Sequence, residues 1–324
     1  MTTRRTLLAA GAAAALPLPA LAQDRFPERP LRIVVGFPPG GSLDVLTRLF
    51  AEQLSARLGQ PVVVENRPGA GGNIGADVVA KAAPDGYTIA TAGIGIWVIN
   101  QFLYSRLPYD AERDLMPLSL VWEFPNVAVV PAQHVPARSL AEFIAWAKAR
   151  RDGISYGSPG VGTTPHLSGA LFMARTGING THVPFRGAAQ TIPAMLSGDV
   201  QFALDNLASY LPVIQEGRMR ALAITSAERW PTLPDVPTMQ EAGLEDFVLT
   251  PWTVFAVPAA TPRPIVDRLS TEIRAITADP ALQQRAQQMG ARLRGSTPEE
   301  SWTYIRSELP KWREMVRVSG ARAN

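Results

Sequence analysis

The sequence predicts an α/β protein whose two lobes face each other across a hinged cleft. Three observations carry that expectation: short β-branched runs alternate with stretches of helical period, the loops between them are short, and the rhythm breaks at two places. Leu31–Gly36 reads as a buried strand by its β-branched content. Ser42 is placed to cap the next helix, which carries Val45, Leu46, Leu49, Leu54 and Leu58 on one face and stops at Gly59. A strand at Pro61–Glu65, a helix at Asn73–Ala83 and a strand at Tyr87–Ala92 follow, the last after the Pro84-Asp85-Gly86 turn. Further on come a helix at Ser139–Arg151, a strand at Ile154–Tyr156, a helix at Thr164–Thr176, a strand at Thr181–Val183 and a helix at Ala188–Ser197. Strand Val200–Leu204, helix Asn206–Glu216 and strand Met219–Thr225 complete the series. Repeated βα units of this kind imply parallel sheets covered by helices on both faces.

The first break falls where the run Ser119–Trp122 gives way, past Pro125-Asn126, to another at Val127–Val130. The second holds Pro231, Pro234 and Pro237, and returns through Phe247–Val257, an unusually long extended stretch. Two such crossings assign residues 23–123 and 250–324 to one lobe and residues 124–249 to the other.

Residues 1–22 have the three-part layout of an export signal: Arg4 and Arg5, an apolar stretch from Leu7 to Leu18, and Ala20-Leu21-Ala22 before Gln23. That stretch, interrupted by Pro17 and Pro19, is too short to span a bilayer. Thr3-Arg4-Arg5-Thr6-Leu7-Leu8 fits the loose outline of a twin-arginine signal, so the secretory and twin-arginine routes both stay open. Cleavage after Ala22 would leave 302 residues and lower the formal charge from +3 to +1. A near-neutral mature chain argues against a nucleic-acid or membrane-surface binder. With no cysteine, disulfides, thiolate catalysis and cysteine-ligated zinc are excluded. The expected product is a soluble, exported protein stabilised by its core alone.

Glycine-rich loops are the places where chemistry could sit. Phe37-Pro38-Pro39-Gly40-Gly41-Ser42 joins a strand to a helix start, where free N–H groups and the helix dipole suit a carboxylate or a phosphate. A tight turn without ligand is the alternative, and Asp44 in the first turn is stabilised by the same dipole. Gly69-Ala70-Gly71-Gly72-Asn73-Ile74-Gly75 fails as a dinucleotide fingerprint, because the third glycine would fall at Ile74, and reads as a close-approach turn. Gly157-Ser158-Pro159-Gly160-Val161-Gly162-Thr163-Thr164 again precedes a helix and belongs to the opposite lobe. Two cradles facing each other suit a ligand with a carboxylate at one or both ends. The catalytic inventory is poor. His134, His166 and His182 have no metal-ligand spacing, and Ser158 is not in a nucleophile elbow. His166 reads as a structural hydrogen-bonder. Asp205-Asn206 at a strand end serves as a helix cap, a pocket wall or both, and Arg186-Gly187 offers the one obvious cation.

Together these residues resemble the Bug/TctC family, the periplasmic solute-binding receptors of tripartite tricarboxylate transporters. The resemblance rests on Phe37-Pro38-Pro39-Gly40-Gly41-Ser42 with Asp44, on Val62–Gly72, and on Ala83-Pro84-Asp85-Gly86-Tyr87-Thr88. It continues through Gly162-Thr163 with His166-Leu167, Val183-Pro184-Phe185-Arg186-Gly187, Asp205-Asn206, Arg220–Ala223 and Leu233–Thr238, in order along the mature chain. It implies a Venus-flytrap fold of the periplasmic-binding type, type II-like, with no cofactor, no metal and no catalysis. It also implies a monomer that holds a small organic acid and delivers it to membrane permease subunits. Carried over by position, the carboxylate cradle falls on Gly40, Gly41, Ser42 and Asp44, and the facing lobe contributes Gly160, Thr163, Phe185, Arg186, Gly187 and Asp205.

Where the family commonly places small hydroxyl residues, this chain has Gly93-Ile94-Gly95-Ile96-Trp97, and Ala170 stands where a glutamate is frequent. A pocket bounded by Phe37, Ile94, Gly95, Ile96, Trp97 and Phe185 is expected to favour an apolar or aromatic monocarboxylate, or a longer diacid, over citrate. The alternative places Trp97 in the core beneath the loop. Two other classes stay open: a receptor presenting ligand to a signalling partner, and an exported enzyme, for which no base–nucleophile pair can be assembled.

Overall fold

The computed structural model describes residues 26–323. The export signal therefore lies outside the described residues. Two sheets organise the chain. The first is built by β1 (Leu31–Val35), β2 (Val62–Asn66), β3 (Thr88–Gly93), β4 (Leu115–Glu123), β10 (Trp252–Pro258) and β11 (Arg292–Leu293), in the order β11-β4-β10-β3-β1-β2. The second contains β5 (Asn126–Pro131), β6 (Ile154–Ser158), β7 (Gly180–Pro184), β8 (Phe202–Asn206) and β9 (Met219–Ile224), in the order β7-β6-β8-β5-β9.

The sheets are mixed and not parallel throughout, which corrects the expectation from the βα rhythm. β1 pairs parallel with β2 and β3, and β6 with β7 and β8. The strands that carry the chain between sheets run the other way: β10 is antiparallel to β3 and β4, and β5 to β8 and β9. A strand entering a sheet directly from its neighbour, without a crossover helix, has no reason to run parallel. The two crossings lie side by side, the Phe124 N–H donating to the Pro251 carbonyl at 3.0 Å. The Asn126 N–H donates to Thr225 Oγ1 at 2.9 Å, and the Leu249 N–H to the Thr225 carbonyl at 2.8 Å, knitting both crossings to β9.

Helices cover the first sheet with α1 (Ser42–Leu58), α2 (Asn73–Ala80), α3 (Asn100–Leu103) and α4 (Ala111–Asp114). The second sheet carries α5 (Leu140–Lys148), α6 (Thr164–Thr176), α7 (Ala188–Leu196) and α8 (Leu207–Gln215). The C-terminal α9 (Arg263–Thr277), α10 (Pro280–Gln288) and α11 (Pro298–Ser319) return to the first lobe. α1 buries Leu46, Leu49, Leu54 and Leu58 but leaves Val45 exposed. Beneath it Phe50, Trp122 and Phe255 meet edge to face or tilted at 5.3–5.4 Å between ring centres. Phe143, Phe172 and Phe202 stack in the second lobe.

α11 opens on a capping box, Thr297 with Glu300, and lies against β4 while also touching α6 of the other sheet. Its Trp312 is fully buried, and Glu308 accepts from both Trp312 Nε1 and Trp252 Nε1. No helix among the described residues is long and apolar enough to cross a membrane.

Candidate functional site

Between the lobes lies a cavity of about 1050 Å³, its mouth included. Five helices begin at its wall: α1 at Gly41-Ser42-Leu43, α2 at Gly72, α6 at Thr163-Thr164, α7 at Gly187-Ala188 and α8 at Asn206. In none does the side chain of its own N-cap residue cap the first turn, although in α1 the Ser42 N–H donates to Ser209 Oγ of the facing lobe at 3.1 Å. Of the helices that start elsewhere, α4, α5, α10 and α11 are capped by Asp110, Ser139, Asp279 and Thr297, while α9, which starts after Pro262, has no side-chain cap. A helix start leaves up to four N–H groups without an internal acceptor and carries the positive end of the dipole. Uncapped starts converging from both lobes therefore make a neutral cavity rich in donors.

Among the described residues no Lys, Arg or His side chain lines this cavity, and Asp205 is the one ionisable side chain that does. Asp205 is buried, with Oδ1 accepting the Asn206 N–H at 2.7 Å. Burial pushes its carboxyl up to about 7, against the pull of the Asn206 amide and the Tyr210 hydroxyl. That keeps it from presenting a full negative charge to an anion below neutral pH. Apolar surface comes from Phe37, Leu43, Ala76, Ile94, Ile96 and Phe124, and polar groups from Thr91, Asn100, Thr163, Asn206 and Ser209.

Of the residues singled out in the sequence, Phe37, Gly41, Ser42, Ile94, Gly95, Thr163, Gly187 and Asp205 come together at the cavity wall. The other six do not line it. The Gly40 N–H donates to Asp44 Oδ2 at 3.0 Å, so that amide is already used. Asp44 is buried and saturated: Asn66 Nδ2 donates to Oδ1 at 2.8 Å, and Arg48 grips both oxygens at 3.0 and 3.1 Å. Burial alone would raise its pKa; the bonds from Arg48, Gly40 and Asn66 outweigh it and hold the carboxyl below the usual range. Asp44 thus pins the loop and is not free for ligand. Ser42 is the first helical residue, not the cap; the cap is Gly41, and the Ser42 hydroxyl goes elsewhere.

Gly160 also serves its own loop, its carbonyl accepting from Ser158 Oγ and Thr163 Oγ1. Arg186 is exposed, and Phe185 packs into the second lobe's core with Met195 and Val200. Trp97 takes the second of its two readings, in the core beneath the loop. Residues Gly95–Ile99 form a π-helical turn that sends Ile94 and Ile96 to the cavity and Trp97 to the far side. There its Nε1 donates to the Ala92 carbonyl at 3.2 Å and its ring meets Trp302 of α11 edge to face at 5.4 Å. It borders a separate hollow of about 750 Å³ with Tyr109, Trp302 and Leu309.

Sequence reasoning missed Ser209, Asn100, Phe124 and Trp252, which reach the cavity from distant segments. The close-approach reading of the second glycine loop has a clear cause. A Cβ on Gly36 would sit 2.8 Å from Gly72 Cα, and one on Gly75 2.8 Å from Gly36 Cα, so three glycines let α2 press against β1.

Beneath the third glycine loop, His166 and His182 stack with ring centres 3.8 Å apart. His166 Nδ1 accepts the Gly162 N–H at 3.0 Å, and His182 Nε2 lies 2.7 Å from Ser158 Oγ. Burial lowers His166 to about 4; burial, with the charge His166 would carry, lowers His182 to about 3. Unfolded, both would protonate near 6.5. As pH falls from there toward 4, the unfolded chain binds protons that the folded chain refuses. Stability therefore falls with pH by up to about 1.4 kcal/mol per unit for each ring, less where water reaches the ring edges. Denaturant unfolding at pH 7 and pH 4.5 is expected to show that loss, and His182→Asn to reduce it. Identical slopes in the two proteins would remove the histidines as its source.

The two-lobed fold, with a donor-lined cavity between sheets joined by paired crossings, is that of a solute-binding protein. Residues 46–320 match the family described as tripartite tricarboxylate transporter family receptor, and the chain belongs to that family. It is a receptor family and not an enzyme family. A protein from the tcbD-tcbE intergenic region of Pseudomonas sp. strain P51 is 39% identical over 90% of this chain and 87% of its own. The structure of R. palustris Rpa4515 with adipate superposes with a TM-score of 0.89, at 34% identity, covering 92% of this chain and 100% of that one. The periplasmic binding protein BugD gives 0.86, also at 34% identity and with coverages of 92% and 100%.

Proposed function

We propose that this chain captures a small organic carboxylate with an apolar body and presents it to the permease subunits of a tripartite tricarboxylate transporter. The observation that carries the reading is the set of five helix starts, none capped by its own N-cap side chain, around a cavity that no cationic side chain lines among the described residues. Partial charges and N–H groups bind an anion there, while Phe37, Ile94, Ile96 and Phe124 bury its carbon skeleton at about 25 cal/mol per Å². The adipate found in Rpa4515 has that chemistry, acid groups on an apolar chain. A hydroxylated tricarboxylate would leave polar groups against isoleucine, at about 1–3 kcal/mol for each unpaired group. In this reading the protein works as an exported monomer in the periplasm, cut after Ala22. Residues 23–123 with 250–324 form one lobe and residues 124–249 the other.

A thermal-shift screen of adipate, benzoate, malate, glutamate and citrate tests the proposal. Ligand that binds only the folded state adds about 2.7 kcal/mol of stability at a hundred times its Kd. The largest rise in Tm is expected from adipate or benzoate. A larger rise with citrate would overturn the apolar-body reading, and no rise with any carboxylate would overturn the receptor reading.

A further inference from the structure

We infer that Ser209 is a positioning residue that latches the second lobe onto the α1 cradle and offers the ligand a hydrogen bond once latched. This deepens the carboxylate-receptor reading and rests on it for the ligand half alone. Ser209 lies in the first turn of α8, on the cavity wall opposite α1. Its Oγ accepts the Ser42 N–H at 3.1 Å and stands 2.5 Å from Ser42 Oγ. The Ser42 amide is one of the donors that a helix start leaves free, so the Ser209 hydroxyl occupies the place a carboxylate oxygen would take. A neutral side chain of one lobe is thus seated in the anion cradle of the other.

Hydrogen counting gives the second half. The pair owns two hydroxyl hydrogens, and the bond between the two oxygens uses one. Neither hydroxyl has another acceptor among the described residues, so one hydrogen stays available at the cavity wall. An anion accepts such a bond more strongly than water or a neutral group does. Nearby backbone agrees with a closed cleft: a Cβ on Gly187 would meet Pro38 at 3.6 Å, and one on Gly71 would meet the Val161 carbonyl at 3.8 Å.

The experiment compares wild type, Ser209→Ala, Ser209→Thr and the Ser42→Ala/Ser209→Ala double variant, by X-ray scattering without ligand and by calorimetry with adipate. Unliganded Ser209→Ala is expected to show a larger radius of gyration than wild type, and about tenfold weaker adipate binding. Ser209→Thr, which keeps the hydroxyl, should return both toward wild type. The double variant should lose little beyond Ser209→Ala, because both changes break one pair. An unchanged unliganded radius in Ser209→Ala overturns the latch whatever the affinities. A changed radius with wild-type affinity keeps the latch and overturns the hydrogen bond to ligand. If wild type binds no carboxylate, the receptor reading fails while the ligand-free scattering still decides the latch.

Discussion

Gly162→Ala is expected to hold the lobes apart and to weaken ligand binding by at least about tenfold, or about 1.4 kcal/mol. Gly162 has φ +78°, a conformation that L side chains resist, and a Cβ there would fall 1.8 Å from Leu103 Cδ2 and 3.1 Å from its Cγ. Leu103 belongs to the first sheet's helices and Gly162 to the second's, so the collision lies on the closing surface. A leucine tip can often turn away from a new methyl. Here Leu103 is 4% exposed and packed in the core beside the π-helical turn, where close packing resists such a shift. The cheaper response is for the lobes to stay apart. Affinity then falls in proportion to the fraction of molecules able to close. Scattering should show less compaction on adding ligand than in wild type, and Leu103→Ala in the same chain should restore part of the affinity. Wild-type affinity and compaction in Gly162→Ala would mean that this contact plays no part in closure.

Trp97→Ala should act on stability far more than on ligand choice. The indole is 2% exposed, hydrogen-bonded to the Ala92 carbonyl and packed on Trp302. Truncating a buried tryptophan costs about 3–5 kcal/mol. For a chain of this size that is on the order of ten degrees in Tm. A second consequence follows from Trp302, which reaches the same contact from α11: the variant should loosen the C-terminal helix, and hydrogen exchange there should quicken. A variant that melts like wild type but loses aromatic ligands would put Trp97 back at the cavity.

The elements most legible in the sequence were those whose local signal matched their final surroundings. β1 reads as a strand because its β-branched run Leu31–Val35 is buried at all positions but Arg32, and α6 opens after Gly162-Thr163 and ends at Gly177 as its composition indicates. Strand direction was not legible. Whether β10 joins β3 parallel or antiparallel depends on the route the chain takes, and nothing within Trp252–Pro258 encodes that route. In α9, Val266, Leu269, Ile273 and Ile276 are spaced for a buried stripe, so the signal for that helix was present and went unread.

At the site, glycine loops were visible because they must precede helices to work as donors. Hydrogen-bond ownership was not. Gly40, Asp44 and Ser42 are neighbours in sequence, yet Asp44 takes the Gly40 amide while Ser42 turns to Ser209, 167 residues away. The face on which Trp97 falls was hidden for a related reason: a π-helical turn rotates each residue by a different angle from an α-helix, so counting from Ile94 cannot say which side the indole takes.

The place of β10 in the first sheet has a consequence for the order in which the protein assembles. β10 lies between β3 and β4, so the strands made early cannot join into one sheet until residues 252–258 have been synthesised. The second sheet draws all five of its strands from residues 126–224, one uninterrupted segment. Contacts close in sequence form sooner than distant ones. The middle of the chain can therefore be complete while its two ends are still searching for each other. Until β10 arrives, β3 and β4 each carry an open edge, the kind of surface on which unfinished chains associate. The late segment that seals the sheet is followed at once by α9, α10 and α11, which cover it, so the period of exposure closes with the end of the chain.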